Sequence, residues 1–404
     1  MTAIVGVLNK HGVAIAADSA VTLGGGRKVM NTATKLFALS KFEPIAIAVY
    51  GNAEFIGTPW EIIIKEYRES LDKRHFANVR MYVDDFQKFL KHRNYFCTDK
   101  DAADYLKFSI NLFLQNIQKV LVDCPQRLSN LISRLRKPLN NSLLGGFTDN
   151  TVDYFKEISK KIIEQECKIL SKNGLGLSLD ELKEMVEAAY LRDIAPIGHT
   201  GLVFAGYGKK EIFPSIYNCN VGLVIDGLLA KTVKKASKID KNNLSAICPF
   251  AQTDVMHTIL DGVSPKMQEV YIRSLSLVFS KVKVAIAQVI ENVDVNLANQ
   301  IKALDIGPFS SEFLKTSRAI QLKEYTAPFV QSVATLEKED LADFAESLIT
   351  LTSLKRKISY DQETVGGPVD VMVISKGDGI IWMKRKEYFN SDMNPQYLNN
   401  YFNR

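Results

Sequence analysis

The residue types that most often carry catalysis are scattered in this chain. Five histidines, at 11, 75, 92, 199 and 257, and five cysteines, at 97, 124, 167, 219 and 248, show neither HExxH nor CxxC spacing. A zinc or dithiol centre draws ligands from such short spacings, so metal and redox chemistry find no support, and no metal or organic cofactor is expected. There is no GxSxG, and Gly24-Gly25-Gly26-Arg27-Lys28 lacks the spacing and the Lys-Ser/Thr pair of a phosphate loop. What remains is the start of the chain. Removal of Met1 would leave Thr2 with a hydroxyl and a free α-amine on one residue, and an amine of reference pKa roughly 7.7–8.0 can serve as base for the hydroxyl beside it. Many chains lose their initiator methionine before a small residue, so the elements that follow must decide whether Thr2 is more than that.

Residues 3–8 and 13–17 are strings of small and β-branched residues around the turn Asn9-Lys10-His11-Gly12, which predicts a β-hairpin. A second pair, 35–40 and 45–50, flanks Lys41-Phe42-Glu43-Pro44 and is apolar almost throughout, which implies burial on both faces. Thr58-Pro59-Trp60-Glu61 reads as an N-cap with a first-turn proline, opening a helical stretch to about Leu191 that breaks near 137–146. Strands return at 200–207 and 213–218, with 222–230 continuing the sheet. Helices resume over 252–260, 266–290 and 341–354, before a last hairpin at 369–375 and 379–384. Strands at both ends with helices between them predict one α+β sheet domain carrying large helical insertions.

The order Thr2, short strand, turn, strand ending at Asp18-Ser19, Lys35, then Tyr50-Gly51-Asn52-Ala53 before a helix resembles the proteasome β-subunit and HslV type of N-terminal-nucleophile hydrolase. Gly366-Gly367 followed by a strand resembles that family's last hairpin. The resemblance is most specific over 2–60, with islands at 200–262 and 340–386. It implies an αββα sandwich, two antiparallel sheets between helix layers, with core segments 2–60, 199–263 and 336–404 and helical insertions 61–198 and 264–335. It implies Thr2 as nucleophile, Lys35 as the positive charge that lowers the pKa of amine and hydroxyl, Asp18 as its ion-pair partner and Gly51 as oxyanion donor. By position it places the apolar residues Val21, Ala33, Val49 and Ala53 around the substrate side chain.

The family's supporting Ser, Asp and Ser are matched imperfectly. The loop expected at Ile247–Asp254 has Ala251 at the first serine, with Thr253 the nearby hydroxyl. In Tyr360–Gly367, Asp361 is shifted or Gln362 substituted, Val365 stands at the second serine, and Thr364 is the alternative. Either Thr253, Asp361 and Thr364 are used differently or the network is weakened. The expected activity is that of a threonine peptidase on peptide or protein substrates. The alternatives are a non-proteolytic amidase or acyltransferase, and a scaffold that binds a partner through its helical insertions.

Composition agrees with a globular chain: 404 residues, 46% hydrophobic, with 51 basic and 45 acidic residues. A net charge of +6 spread over such a surface does not predict nucleic-acid binding. The longest apolar strings, such as 45–50, fall short of the roughly 18 residues that would span a bilayer. No signal-peptide pattern opens the chain, so a cytoplasmic protein with reduced thiols is expected. The resemblance adds a homo-oligomer and an ATP-dependent unfoldase as partners it allows.

Overall fold

The computed structural model describes residues 2–23, 28–92, 97–123, 128–172, 177–193, 199–359, 365–387, 389–390, 393–396 and 399. Its strands are β1 (Ala3–Asn9), β2 (Val13–Ala17), β3 (Val21–Leu23), β4 (Lys28–Met30), β5 (Leu36–Ala38), β6 (Ile45–Gly51), β7 (Glu54–Phe55), β8 (Thr58–Pro59), β9 (Thr200–Gly206), β10 (Ser215–Ile225), β11 (Leu228–Lys238), β12 (Ser245–Ala251), β13 (Asp370–Ser375) and β14 (Gly379–Lys384). Between them lie α1 (Trp60–Leu71), α2 (Val79–His92), α3 (Asp99–Asp123), α4 (Leu128–Arg136), α5 (Asp149–Lys172), α6 (Leu179–Glu187), α7 (Asp254–Asp261), α8 (Pro265–Glu291), α9 (Val295–Ala303), α10 (Gly307–Gln321), α11 (Ala327–Val333) and α12 (Lys338–Ile358).

Two five-stranded antiparallel sheets organise the chain, ordered β12-β1-β2-β13-β14 and β11-β10-β9-β6-β5. Side chains alternate across a strand, so a strand buried on both faces must be apolar at every position. In β1 all seven residues are buried. Ile4 and Leu8 point inward, with Ile15 of β2, to meet Ala46, Ala48, Val203 and Ile216 of the other sheet. Ala3, Val5 and Val7 point outward with Ala14 and Ala16, against Leu341, Ala345, Leu348 and Ile349 of α12. The second sheet repeats the pattern: Ile45, Ile47, Leu202 and Phe204 meet Trp60, Ile63 and Tyr67 of α1 and Phe86 of α2. Helix, sheet, sheet and helix therefore stack in four layers, each aliphatic side chain gaining about 1.5–3 kcal/mol by burial. At Gly6 the facing sheet leaves no room for a side chain: a Cβ there would lie 2.5 Å from Ile216 Cδ1. The architecture is α+β.

The helices of 99–192 enclose a core of their own, in which Phe113, Phe155 and Tyr190 meet Leu223 and Ile225 at the end of β10. The arm formed by α8, α9 and α10 buries Ala287 and Ala298 and little else.

Three local expectations are corrected. Thr58 caps no helix: Thr58 and Pro59 pair with Phe55 and Glu54 in a small hairpin, and α1 starts at Trp60, whose N–H bonds the Ala53 carbonyl at 3.1 Å. Residues 213–218 and 222–230 are not separate strands. Ser215–Ile225 and Leu228–Lys238 form one long hairpin around Asp226-Gly227, whose φ values of 53° and 66° give the left-handed two-residue turn that continuous strands require. The segment read as a loop over 247–254 is largely β12, which pairs with β1 at the sheet edge, where Pro249 can sit because its outer side needs no N–H.

Candidate active site

The chain's first strand brings its own start into the sheet. Thr2 is buried, 7% exposed, and its carbonyl accepts the Gln252 N–H at 3.0 Å, extending the β1–β12 ladder past Ala3–Ala251. Ala251 holds φ +63°, a left-handed backbone uncommon for a side-chain-bearing residue, at the point where β12 turns into α7 beside Thr2.

Asp18, directly after β2, is the hub of the site. Its Oδ1 accepts the Ala3 N–H at 2.9 Å and the Lys35 ammonium at 2.6 Å; its Oδ2 accepts the N–H groups of Ala20 and Gly366, both at 3.1 Å. One carboxylate, 1% exposed, thus joins the residue after Thr2, the lysine before β5 and the Gly366-Gly367 turn. Lys35 also donates to the Ala20 carbonyl at 2.6 Å, and its own carbonyl accepts the Val49 N–H at 2.8 Å, which fixes it to β6. Burial pushes the Lys35 pKa below its usual value, and Asp18 opposes that push. Ser19 closes the corner, donating its N–H to the Gly366 carbonyl and its hydroxyl to the Pro368 carbonyl at 2.6 Å.

Gly51 ends β6 with φ +86°, and a Cβ there would lie 2.6 Å from the His199 carbonyl oxygen. The next residue is held from three sides: Asn52 donates its N–H to that carbonyl at 3.2 Å and its side-chain amide to the Tyr105 hydroxyl, and its carbonyl accepts the Thr200 hydroxyl. Thr200 in turn accepts the Trp60 indole N–H at 2.9 Å.

The other expected residues fall in different places. Val49 points into the outer cluster with Trp60 and Leu202, on the face of the sheet that meets α1. Tyr50 takes the inner face, stacked 6.5 Å from Phe250, and its hydroxyl bonds Asn218 and Asn220. Val21 and Ala33 are half-buried and Ala53 is exposed. Thr253 stands at the N-cap of α7 without a side-chain cap bond, its carbonyl accepting the His257 N–H. Asp361 and Thr364 lie outside the described residues. Val365 is fully buried against the β1 side of the α12 layer.

Sequence reading missed a second ion pair, between a buried carboxylate and a half-buried lysine. Asp370 opens β13 opposite Ala17, 2% exposed, and accepts both the N–H of Lys386, at 2.8 Å, and its ammonium. Lys386 pushes the Lys35 pKa down and Asp370 pushes it up, so the two pairs sense each other. A carboxylate at the head of an otherwise apolar strand, Asp370-Val371-Met372-Val373-Ile374, is the sequence signal that could have found it. A cavity of about 600 Å³ is lined by Thr34, Leu36, Asp370, Trp382 and Lys386, flanking the lysine side of the site. Among the described residues no three His, Cys, Asp or Glu side chains gather to hold a metal, and no helix is long and apolar enough to cross a membrane.

No family model matches this chain, and no curated protein does. Among solved structures it is similar to an Anbu (Gly-1) mutant from Hyphomicrobium sp. strain MC1, at 9% identity over 100% of this chain and 93% of that one, with a TM-score of 0.33. It is also similar to Anbu from Pseudomonas aeruginosa, described as a helical assembly of the Anbu complex (10% identity, 99% and 94% covered, TM-score 0.29). A third is Anbu (ancestral beta-subunit) from Yersinia bercovieri (10%, 99% and 95%, 0.30). The resemblance to the proteasome β-subunit and HslV type is corrected by these findings: the neighbours are Anbu proteins, and no family model or curated relative supports HslV-type membership. At such identities and TM-scores the likeness says nothing of this chain's activity.

Proposed function

We propose that the chain is an N-terminal-nucleophile threonine hydrolase that cleaves amide bonds in peptides. The observation that carries this reading is the Asp18 carboxylate, which holds the Ala3 N–H and the Lys35 ammonium on the same oxygen and so ties a buried cation to the first residue after Thr2. With Met1 removed, the Thr2 Oγ attacks the carbonyl carbon while the α-amine takes its proton. The positive field of Lys35 favours the neutral amine and the alkoxide, and Asp18 keeps the lysine in place. The Gly51 N–H receives the oxyanion, a donor typically worth about 2.7–4 kcal/mol. Collapse of the tetrahedral intermediate passes the proton to the departing amine and leaves an ester on Thr2; water, deprotonated by the same α-amine, releases the acid. On this reading the four layers form an αββα sandwich of the N-terminal-nucleophile kind, and residues 61–198 and 264–335 are helical insertions into it. Val21, Ala33 and Ala53 remain as apolar contributors to the substrate pocket, and Thr253 as a supporting hydroxyl.

The test is mass spectrometry of Met-free protein after incubation with a β-lactone or epoxyketone. An adduct on Thr2 that disappears in Thr2→Ala supports the reading; unlabelled protein with a free Thr2 amine refutes it. A panel of peptide and small-amide substrates then separates a peptidase from an amidase. Ala251 and Val365 favour a second reading, a scaffold without catalysis, because they set a methyl and a buried isopropyl group where a hydroxyl would support the nucleophile.

A further inference from the structure

A helix normally gains most of its stability by burying an apolar face. The α8–α10 arm buries almost none, although α8 is 27 residues long and rich in valine and isoleucine. One side of α8 is occupied. Phe279 packs 5.9 Å from Phe309 of α10, Ser276 shares a hydrogen bond with Ser310, and Lys283 donates to the Leu304 carbonyl beyond α9. Another side carries Tyr271, Leu275, Val278, Val282, Ala285 and Val289. These follow one another at alternating steps of four and three, the heptad spacing of a coiled-coil seam. Leu275 is half-buried, but the others are in water: Tyr271 is 51% exposed, Val278 53%, Val282 48% and Val289 76%.

We propose that this stripe is a dimer seam, covered by α8 of a second copy of the same chain. Covering the exposed parts of the stripe and of Ile286 at its edge would bury on the order of 500 Å² per chain, about 1,000 Å² for the pair, the size a specific interface has to reach. Charge permits the pairing. Of the positions that edge the seam, Ile272, Phe279 and Ile286 on one side and Ser274, Lys281 and Gln288 on the other, a single one is charged, so no like-charge rows oppose each other. A bilayer is a poorer occupant, because a helix lying on lipid keeps a Lys/Arg-rich face toward water, and the face of α8 away from the stripe is spent on α9 and α10.

The measurement is the solution mass of the full chain by light scattering and sedimentation between about 1 and 50 μM. The wild-type chain is expected at twice its chain mass, Val278→Glu/Val282→Glu at the single mass with at least a 100-fold weaker dissociation constant, and Val293→Glu, beyond the stripe, as wild type. Val278→Cys/Val282→Cys, oxidised, should cross-link copies in either a parallel or an antiparallel seam, a reading that does not depend on how the glutamates are tolerated. A wild-type monomer, whether or not it floats with anionic vesicles, overturns the proposal. So does a larger assembly whose mass the glutamates leave unchanged, or absence of the cross-link.

Discussion

Replacing Asp18 with alanine tests the electrostatic frame of the site without relying on activity. In the native protein its carboxylate neutralises Lys35, which is 4% exposed, and accepts three backbone N–H groups. Asp18→Ala leaves a buried ammonium with one carbonyl partner, and breaking a buried pair from one side costs about 3–5 kcal/mol. Lys35→Met should cost less, about 1.5–3 kcal/mol, the worth of one charged hydrogen bond, because Asp18 keeps its three backbone donors. The double variant Asp18→Ala/Lys35→Met no longer strands a cation, so the second substitution should restore about 1.5–3 kcal/mol of what the first removes. The assay is guanidinium unfolding followed by tryptophan fluorescence in a Trp382→Phe background, which leaves Trp60, 2% exposed between the second sheet and its helices, as reporter. The reasoning is refuted by an Asp18→Ala loss below about 1 kcal/mol, or by a double variant no more stable than Asp18→Ala.

Two further outcomes follow from the same geometry. Because burial lowers the Lys35 pKa in the folded chain, the unfolded chain binds more protons between that lowered value and 10.5, so this group makes stability rise with pH across the window. The difference in unfolding free energy between wild type and Lys35→Met should therefore shift in favour of wild type as pH climbs toward 10.5; a pH-independent difference would contradict the lowered pKa. Gly51→Ala forces a side chain into a left-handed backbone and sets its Cβ 2.6 Å from the His199 carbonyl oxygen, which should cost about 1–3 kcal/mol and slow Thr2 labelling. Unchanged stability together with unchanged labelling would remove Gly51 from the site.

The sequence by itself determined most strands, since a run such as residues 3–8, apolar at every position, can satisfy its backbone and its side chains only inside a sheet covered on both faces. It also singled out Asp18 and Lys35 as the charged residues closing and opening such runs. Where the strand signal was mixed it misled: Pro249 within Ser245–Ala251 reads as a break until an edge position makes its missing N–H harmless. Likewise, the faces of Val49 and Tyr50 follow from which side of the sheet meets α1, a fact that alternation alone cannot supply. Only the tertiary structure brought Asp370 and Lys386 beside Lys35, and set Gly366 on the Asp18 carboxylate from nearly 350 residues away. Hydrogen bonds and ion pairs act over a few ångströms while strand patterning is local along the chain, so the cross-chain partners of a buried charge are decided by how the sheets stack.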